Sequence, residues 1–111
     1  MNNLQVIQKF LNGEKGATAK RNIKQDYYYI EGRTLQTDGD KLTNYTTDIA
    51  KKNGENEIEI DTSYYSSTTT KIQTMLIKEI KKYRQIGYDF IVVLNGEQKR
   101  VEKFGELLQE N

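Results

Sequence analysis

An apolar stripe in the second half of the chain constrains the fold more than any other feature. Apolar side chains recur there at α-helical spacing, and the stripe consists of Ile72, Met75, Leu76, Ile80, Tyr83 and Ile86. This spacing predicts an amphipathic helix over about residues 67–86, which Gly87 ends. Because the helix has to bury its apolar side, another layer of structure must pack against it.

The predicted partner of this helix is an antiparallel sheet. β-Propensity is high at residues 27–30, and polar and apolar side chains alternate along residues 43–49 and 57–61. Asp38-Gly39 and Asn53-Gly54 are strong hairpin-turn signals. Together these patterns predict an antiparallel meander that runs from about residue 27 to residue 61 and has one apolar face.

The segments around the meander complete the prediction. Residues 3–11 have helical spacing and are followed by Asn12-Gly13, whereas residues 13–24 have no periodicity and are predicted to be a mobile basic loop. Residues 88–94 form an apolar run that is typical of a strand buried on both faces. After it come a third hairpin signal and a short closing helix, at Asn95-Gly96 and around Phe104, Leu107 and Leu108.

The predicted class is therefore α+β, in a single small globular domain that spans residues 1–111. An antiparallel β-meander carries one long amphipathic helix packed across it, with short helices at the termini. The chain of 111 residues falls within the usual size of one domain.

The amino-acid composition excludes several kinds of chemistry. The chain has no Cys and no His, so it lacks a disulfide, a thiolate nucleophile, the commonest general base and the usual zinc ligands. We therefore expect no enzyme activity, no metal and no cofactor. The first residues do not resemble a secretion signal, and no apolar run is long enough to span a membrane. The expected location is the cytoplasm, without a membrane partner.

A run of hydroxyl side chains leads into the long helix. It comprises Tyr65, Ser66, Ser67, Thr68, Thr69 and Thr70, and Lys71 follows it. One interpretation is capping, either by Ser66 or Ser67 or by a capping box of Thr70 with Gln73. The other is a phosphate or anion site, because a helix N-terminus presents unpaired N–H groups and the positive end of its dipole.

Basic residues are segregated within a chain whose net charge is only +1. The long helix carries Lys71, Lys78, Lys81, Lys82 and Arg84 off its apolar stripe, opposed by Glu79. The predicted loop adds Lys15, Lys20, Arg21 and Lys24. These residues are candidates for a stripe that contacts nucleic-acid phosphates, with tyrosines for base stacking. The alternative is an ordinary solvated surface.

The acidic strand and the tyrosines each have more than one possible role. Glu55, Glu57, Glu59 and Asp61 suit a solvent-facing strand, a charged sheet edge or contact with a basic partner protein. A metal cage is the weakest interpretation, because alternate strand positions place acids in a row. The chain has 8 Tyr, and a catalytic role for Tyr64 or Tyr65 is disfavoured without an assisting His or metal.

Two motifs resemble small uncharacterised proteins of bacteriophages and mobile elements. Those proteins share an "nYgT-x-IA" strand, matched here by residues 44–50, and a "YS-x-TT-x-K-x-Q" helix start, matched by residues 65–73. Looser matches extend from residue 10. Thr46 stands where Gly is common, and Ile72 stands where His is frequent. The resemblance implies a genomic setting in a phage or mobile element.

Two classes of function follow from that setting. In the first, the chain is a non-enzymatic accessory protein that binds nucleic acid through the basic helix face and the hydroxyl-rich helix start. In the second, it is a protein–protein inhibitor of a host defence system, such as an anti-CRISPR protein. Salt-sensitive binding to nucleic acid distinguishes the first class from the second. The oligomeric state is left open.

Overall fold

Two helices pack on one face of a six-stranded sheet in the computed structural model of the chain. The helices are α1 (Asn3–Leu11) and α2 (Ser67–Gln85). The strands are β1 (Gly16–Ala17), β2 (Arg21–Gln25), β3 (Tyr28–Gly32), β4 (Leu35–Thr37), β5 (Lys41–Asn44), β6 (Thr47–Lys52), β7 (Glu57–Asp61) and β8 (Ile91–Asn95). The structure describes residues 1–25, 28–54, 56–63 and 65–95, with the backbone alone at 21–25, 28–31 and 95. The predicted α+β class is confirmed.

Both helices begin and end where the sequence predicts. Asn2 and Gln5 form a capping box at the start of α1, in which the Asn2 side chain accepts from the Gln5 N–H at 2.8 Å. Ser66 caps α2, since its side chain accepts from the Thr69 N–H. Gly87, at φ 105°, follows α2, and its left-handed backbone suits glycine. The capping box predicted at Thr70 is wrong, because Thr70 lies inside the helix.

The six-stranded sheet has the order β1-β4-β5-β6-β7-β8. Its neighbours are antiparallel except for β7 and β8, which pair in parallel. Because α2 connects these two strands, it returns the chain to the same end of the sheet, as a crossover helix does. The predicted hairpins at Asp38-Gly39 and Asn53-Gly54 are confirmed as the β4–β5 and β6–β7 connections.

A hairpin turn that the sequence did not predict lies inside the segment predicted as one alternating strand. Residues 45–46 connect β5 to β6, and Tyr45 has φ 56°, a left-handed value unusual for tyrosine. Beyond it the pairing register shifts, so Leu42 faces Ala50 while Thr43 faces Asp48. This bulge directs two consecutive residues, Ile49 and Ala50, into buried positions.

The segment predicted as a mobile basic loop contains regular structure instead. Gly16–Ala17 pairs with β4 at one edge of the six-stranded sheet. Arg21–Gln25 pairs with β3 in a separate two-stranded hairpin. The meander predicted from residue 27 is therefore divided, since β3 belongs to the hairpin and β4 to the sheet. Residues 26–27, 55 and 64 lie outside the described residues.

The strand predicted within residues 88–94 is present as β8, but it is not buried on both faces as predicted. Ile91 is 60% exposed and Val93 is 38% exposed, whereas Val92 and Leu94 pack against the core. The two described helices pack on one face of the sheet, and Ile91 and Val93 alternate to the other face. The turn predicted at Asn95-Gly96 and the closing helix extend beyond residue 95, outside the described residues.

The core lies between the helices and the sheet. It contains Val6, Ile7, Phe10, Leu11, Leu35, Leu42, Ile49, Ala50, Ile58, Ile60, Ile72, Leu76, Ile77, Ile80 and Phe90. The predicted stripe on α2 is correct for Ile72, Leu76 and Ile80, and Met75 and Tyr83 pack at its border. It is wrong at Ile86, which is 73% exposed, and it omits Ile77, which is fully buried.

The β4–β5 turn supplies a pH-dependent prediction. The Asp38 carboxylate accepts from the N–H groups of Lys41 and Asp40, each at 2.9 Å, and these bonds hold its pKa below the usual value. We expect Asp38→Ala to lower the free energy of unfolding by less than about 1 kcal/mol at neutral pH, because the carboxylate is exposed. Urea denaturation measures this difference.

The sign of the pH dependence follows from the lowered pKa. The stabilisation is present above the unfolded-state pKa of about 4 and is lost as pH falls through the folded-state value. Wild type and Asp38→Ala should therefore become more alike in acid. A difference that stays constant from neutral to strongly acidic pH contradicts this explanation.

Candidate nucleic-acid interface

Three lysines form one row on the solvent side of α2. Lys71, Lys78 and Lys82 are separated by two turns and then by about one turn, so they lie on the same side of the helix, and all are exposed. This side lies opposite the buried positions Leu76 and Ile80. From Lys71 to Lys82 the row is about 16 Å long. We call these residues the lysine face.

Of the three lysines of the lysine face, only Lys82 forms an ion pair within the described residues. Within the described chain, no ion pair involves Lys71 or Lys78. Lys82 Nζ lies 3.7 Å from Glu79 Oε1, and Glu79 is only 4% exposed. The other oxygen of Glu79 accepts from Gln8 Nε2 of α1 at 2.8 Å. Glu79, which the sequence placed on a solvated surface, therefore joins the two helices and partly neutralises Lys82.

The hydroxyl run mostly serves the fold. Ser66 Oγ accepts from the Thr69 N–H at 3.2 Å and donates to Thr69 Oγ1 at 3.1 Å. Thr69 Oγ1 in turn donates to Asn44 Oδ1 of β5 at 2.7 Å, in a buried position. Thr70 Oγ1 donates to the Ser66 carbonyl at 3.0 Å. The bonds of Ser66 cap the helix, as the capping interpretation predicts, and the Thr69–Asn44 bond attaches the start of α2 to the sheet.

The connection from β7 to α2 is fixed by two further side chains. Gln73, which is 1% exposed, donates to the carbonyls of Asp61 at 2.6 Å and Ser63 at 3.1 Å. The Tyr65 hydroxyl donates to the Asp61 carboxylate, and this bond raises the pKa of Tyr65 above its usual value. Of the predicted anion-site residues, Thr68 and Lys71 are exposed, whereas Thr69 and Thr70 are buried.

A matched pair of substitutions separates the roles of these hydroxyls. We expect Thr69→Val to reduce the free energy of unfolding by about 1–3 kcal/mol, because it leaves the buried Asn44 oxygen without its donor. Thr68→Val makes the same chemical change at an exposed position and should cost less than about 0.5 kcal/mol. Chemical denaturation measures both values. Loss of nucleic-acid binding in a stable Thr68→Val variant would instead support an anion site at the helix start.

The basic residues of the predicted loop lie apart from the lysine face. Lys15 precedes β1 and is exposed, Lys20 is exposed between β1 and β2, and Arg21 begins β2. Helix α1 contacts both α2 and the β1–β4 pair, so it lies between them. The structure therefore places the two basic regions on different sides of α1.

The acidic side chains of β7 lie on the face of the sheet opposite the two described helices. Glu57, Glu59 and Asp61 alternate with the buried Ile58 and Ile60, and all three are half-buried. Glu59 accepts from Asn53 Nδ2 at 2.8 Å. No cluster of potential metal ligands occurs within the described residues.

Two features of this surface have no clear signal in the sequence. Asn44 connects β5 to α2, and only its place in the "nYgT-x-IA" match drew attention to it. Arg84, assigned to the basic surface, instead donates to the Phe90 carbonyl at 2.8 Å from Nη2 and 3.2 Å from Nε. Its guanidinium therefore connects α2 to the start of β8, which sequence spacing alone does not indicate.

Comparison with protein-family models, curated proteins and solved structures finds no match. Among the described residues, no helix has the length and apolar character needed to cross a membrane. The site is therefore interpreted from its own geometry and charge.

Proposed function

We propose that this protein binds nucleic acid through the lysine face of α2, with Lys71, Lys78 and Lys82 contacting phosphates. The observation that carries the proposal is their alignment on the side of the helix opposite the core. A B-DNA strand carries one phosphate per about 3.4 Å of helix axis, so a row of about 16 Å lies along several phosphates. The role is that of a binding accessory protein rather than an enzyme.

The resemblance to phage and mobile-element proteins supports the setting of this proposal. The helix start that carries the resemblance also positions Lys71, because Ser66 caps the helix one turn earlier. The exposed Ser67, Thr68 and Lys71 belong to the part of the hydroxyl-rich start that is accessible to a phosphate.

Fluorescence-polarisation titration of single-stranded DNA, duplex DNA and RNA at two or more salt concentrations tests the function. Three phosphate contacts predict that log K falls against log salt with a slope of about −2 for single strands and about −3 for duplex DNA. Absence of binding at low salt, or binding that does not change with salt, overturns the proposal.

A second candidate is the inhibition of a host defence protein through a protein–protein contact. Ile86 is 73% exposed and Tyr88 is 47% exposed, and these neighbouring apolar side chains follow α2 directly. Exposed aromatic and aliphatic side chains in proximity are typical of protein interfaces. This function predicts salt-tolerant binding to one protein and no binding to bare nucleic acid.

A further inference from the structure

Two exposed tyrosines flank the helix that carries the lysine face. Among the aromatic side chains that the structure describes, Tyr65 and Tyr88 are the exposed ones, at 48% and 47%. Tyr65 directly precedes the cap residue Ser66, and Tyr88 follows Gly87 at the other end of α2. The 19 residues of α2 extend over about 28 Å, so one exposed ring lies at each end of a span of that order.

Hydrogen bonds fix Tyr65 beside the start of the helix. Its hydroxyl donates to one oxygen of the Asp61 carboxylate, while the other oxygen accepts from the Ser63 N–H at 2.8 Å. The hydroxyl end of the side chain is therefore anchored on the last residue of β7, while about half of the residue stays exposed. A side chain that is already fixed loses little conformational entropy when a ligand stacks on it.

Ring contacts fix Tyr88 at the other end of the helix. Its ring centroid lies 4.9 Å from that of Tyr83 and 5.8 Å from that of Phe90, which is itself buried. The Tyr88 N–H also donates to the Tyr83 carbonyl at 3.0 Å. Tyr83 directly follows Lys82, so Tyr88 packs on the residue next to the last member of the lysine face.

The charge between the two rings is positive. Between the tyrosines, α2 carries the three residues of the lysine face. Each ring has one acid next to it, namely Asp61 at the first ring and Asp89 at the second. The attraction for phosphates therefore comes from the span between the rings. A positive track combined with aromatic side chains is typical of surfaces that bind single-stranded nucleic acid.

Exposed rings distinguish single strands from duplexes. In a duplex the faces of the bases are covered by their neighbours, so a side chain that stacks on a base first has to unstack it. In a single strand every base offers a face to an aromatic side chain. Phosphate contacts alone have the opposite preference, because duplex DNA carries more charge per unit length. A preference for single strands therefore cannot arise from the lysine face by itself.

We infer that the nucleic acid bound by this protein is single-stranded, with its phosphates on the lysine face and its bases stacked on Tyr65 and Tyr88. The inference rests on the proposed function, since it names the ligand class of the same surface. Because every base has a π-face, this binding tolerates different sequences. The strand has to pass from one ring to the other, so it runs along the length of α2.

A comparison of ligands tests the inference on the wild-type protein. Fluorescence polarisation compares a single strand of about 12 nucleotides with a duplex of the same sequence and with an abasic strand of the same length. We expect the single strand to bind several-fold more tightly than either. Equal or tighter binding of the duplex or of the abasic strand overturns the inference and leaves phosphate contact by the lysine face in place. Absence of binding to every ligand overturns the proposed function, and the inference with it.

Variants of the protein assign the effect to the rings. Tyr65→Leu and Tyr88→Leu should each weaken binding of the single strand about fivefold or more. The slope of log K against log salt should stay unchanged in both, because no charge is removed. Tyr88→Phe keeps the ring and should bind like wild type. Ile86→Ala removes a neighbouring exposed side chain but no ring, and it should also bind like wild type.

Two outcomes of the variant experiment overturn the inference. One is single-strand affinity that neither leucine variant changes. The other is a loss from Ile86→Ala as large as that from Tyr88→Leu, which favours an apolar contact of the kind that a protein partner makes. Circular dichroism establishes that each variant is folded; if a leucine variant unfolds, the comparison of single, duplex and abasic ligands on the wild-type protein decides.

Discussion

Neutralising two residues of the lysine face, by Lys71→Gln with Lys78→Gln, is expected to weaken nucleic-acid binding about tenfold or more. Each lost phosphate contact removes about 0.7–0.9 from the slope of log K against log salt, so the slope should become shallower by about 1.4–1.8. These two positions are preferable to Lys82, because Lys82 pairs with the buried Glu79 and its replacement also disturbs the helix contact. Fluorescence polarisation over a salt series measures both effects.

The matched control removes the same charge from the other side of the molecule. Lys41→Gln with Lys51→Gln changes two exposed lysines on the sheet strands, away from α2. Its effect on affinity should be several-fold smaller, and its salt slope should stay close to that of wild type. Gln is a good helix former, so the α2 variant should keep its melting temperature. Equal loss of affinity in both variants contradicts a specific role for the lysine face.

Ile77→Ala should destabilise the protein by about 2–5 kcal/mol, the largest stability effect that we predict. Ile77 is fully buried in the core, so truncation removes apolar burial and leaves a cavity. Because domains of this size are stable by only about 5–15 kcal/mol, the change approaches the whole stability at the low end of that range. Chemical denaturation of wild type and variant gives the difference directly.

The control for this prediction is the same substitution in the residue that caps the same helix. Ile86 is 73% exposed, and Ile86→Ala should change the free energy of unfolding by less than about 0.5 kcal/mol. Sequence periodicity assigns the opposite roles to these residues, since it places Ile86 on the buried stripe and omits Ile77. A larger loss from Ile86→Ala than from Ile77→Ala would show that the periodicity, rather than the structure, identifies the core.

The difference between Ile77 and Ile86 has a physical cause. The buried side of α2 is wide in its middle, where both α1 and the sheet contact it, so Ile77 and even Glu79 are enclosed there. At its C-terminal end the helix extends past this contact, and the cap residue Ile86 lies in solvent. A periodic pattern reports which residues share a side of a helix, but not how far the neighbouring elements extend along it.

The candidate site likewise combines features that the sequence predicts with features that depend on distant contacts. The lysine face could be predicted from spacing alone, because residues two and three turns apart in one helix necessarily share a side. The hydroxyl run remained ambiguous, since a capping residue and an anion ligand have the same side chains. The hydrogen bond from Thr69 to Asn44 shows that Thr69 supports the fold, and it joins residues 25 positions apart.

The sequence by itself determined the position of both helices, the turns at Asp38-Gly39 and Asn53-Gly54, and the alternation of β7. These features depend on capping, glycine conformation and side-chain period, which act over a few residues. Only the tertiary structure decided that β8 pairs in parallel with β7, that the β2–β3 hairpin is separate from the six-stranded sheet, and that both described helices pack on one face of that sheet. Strand pairing and burial depend on contacts between distant segments, and local propensity carries no record of them.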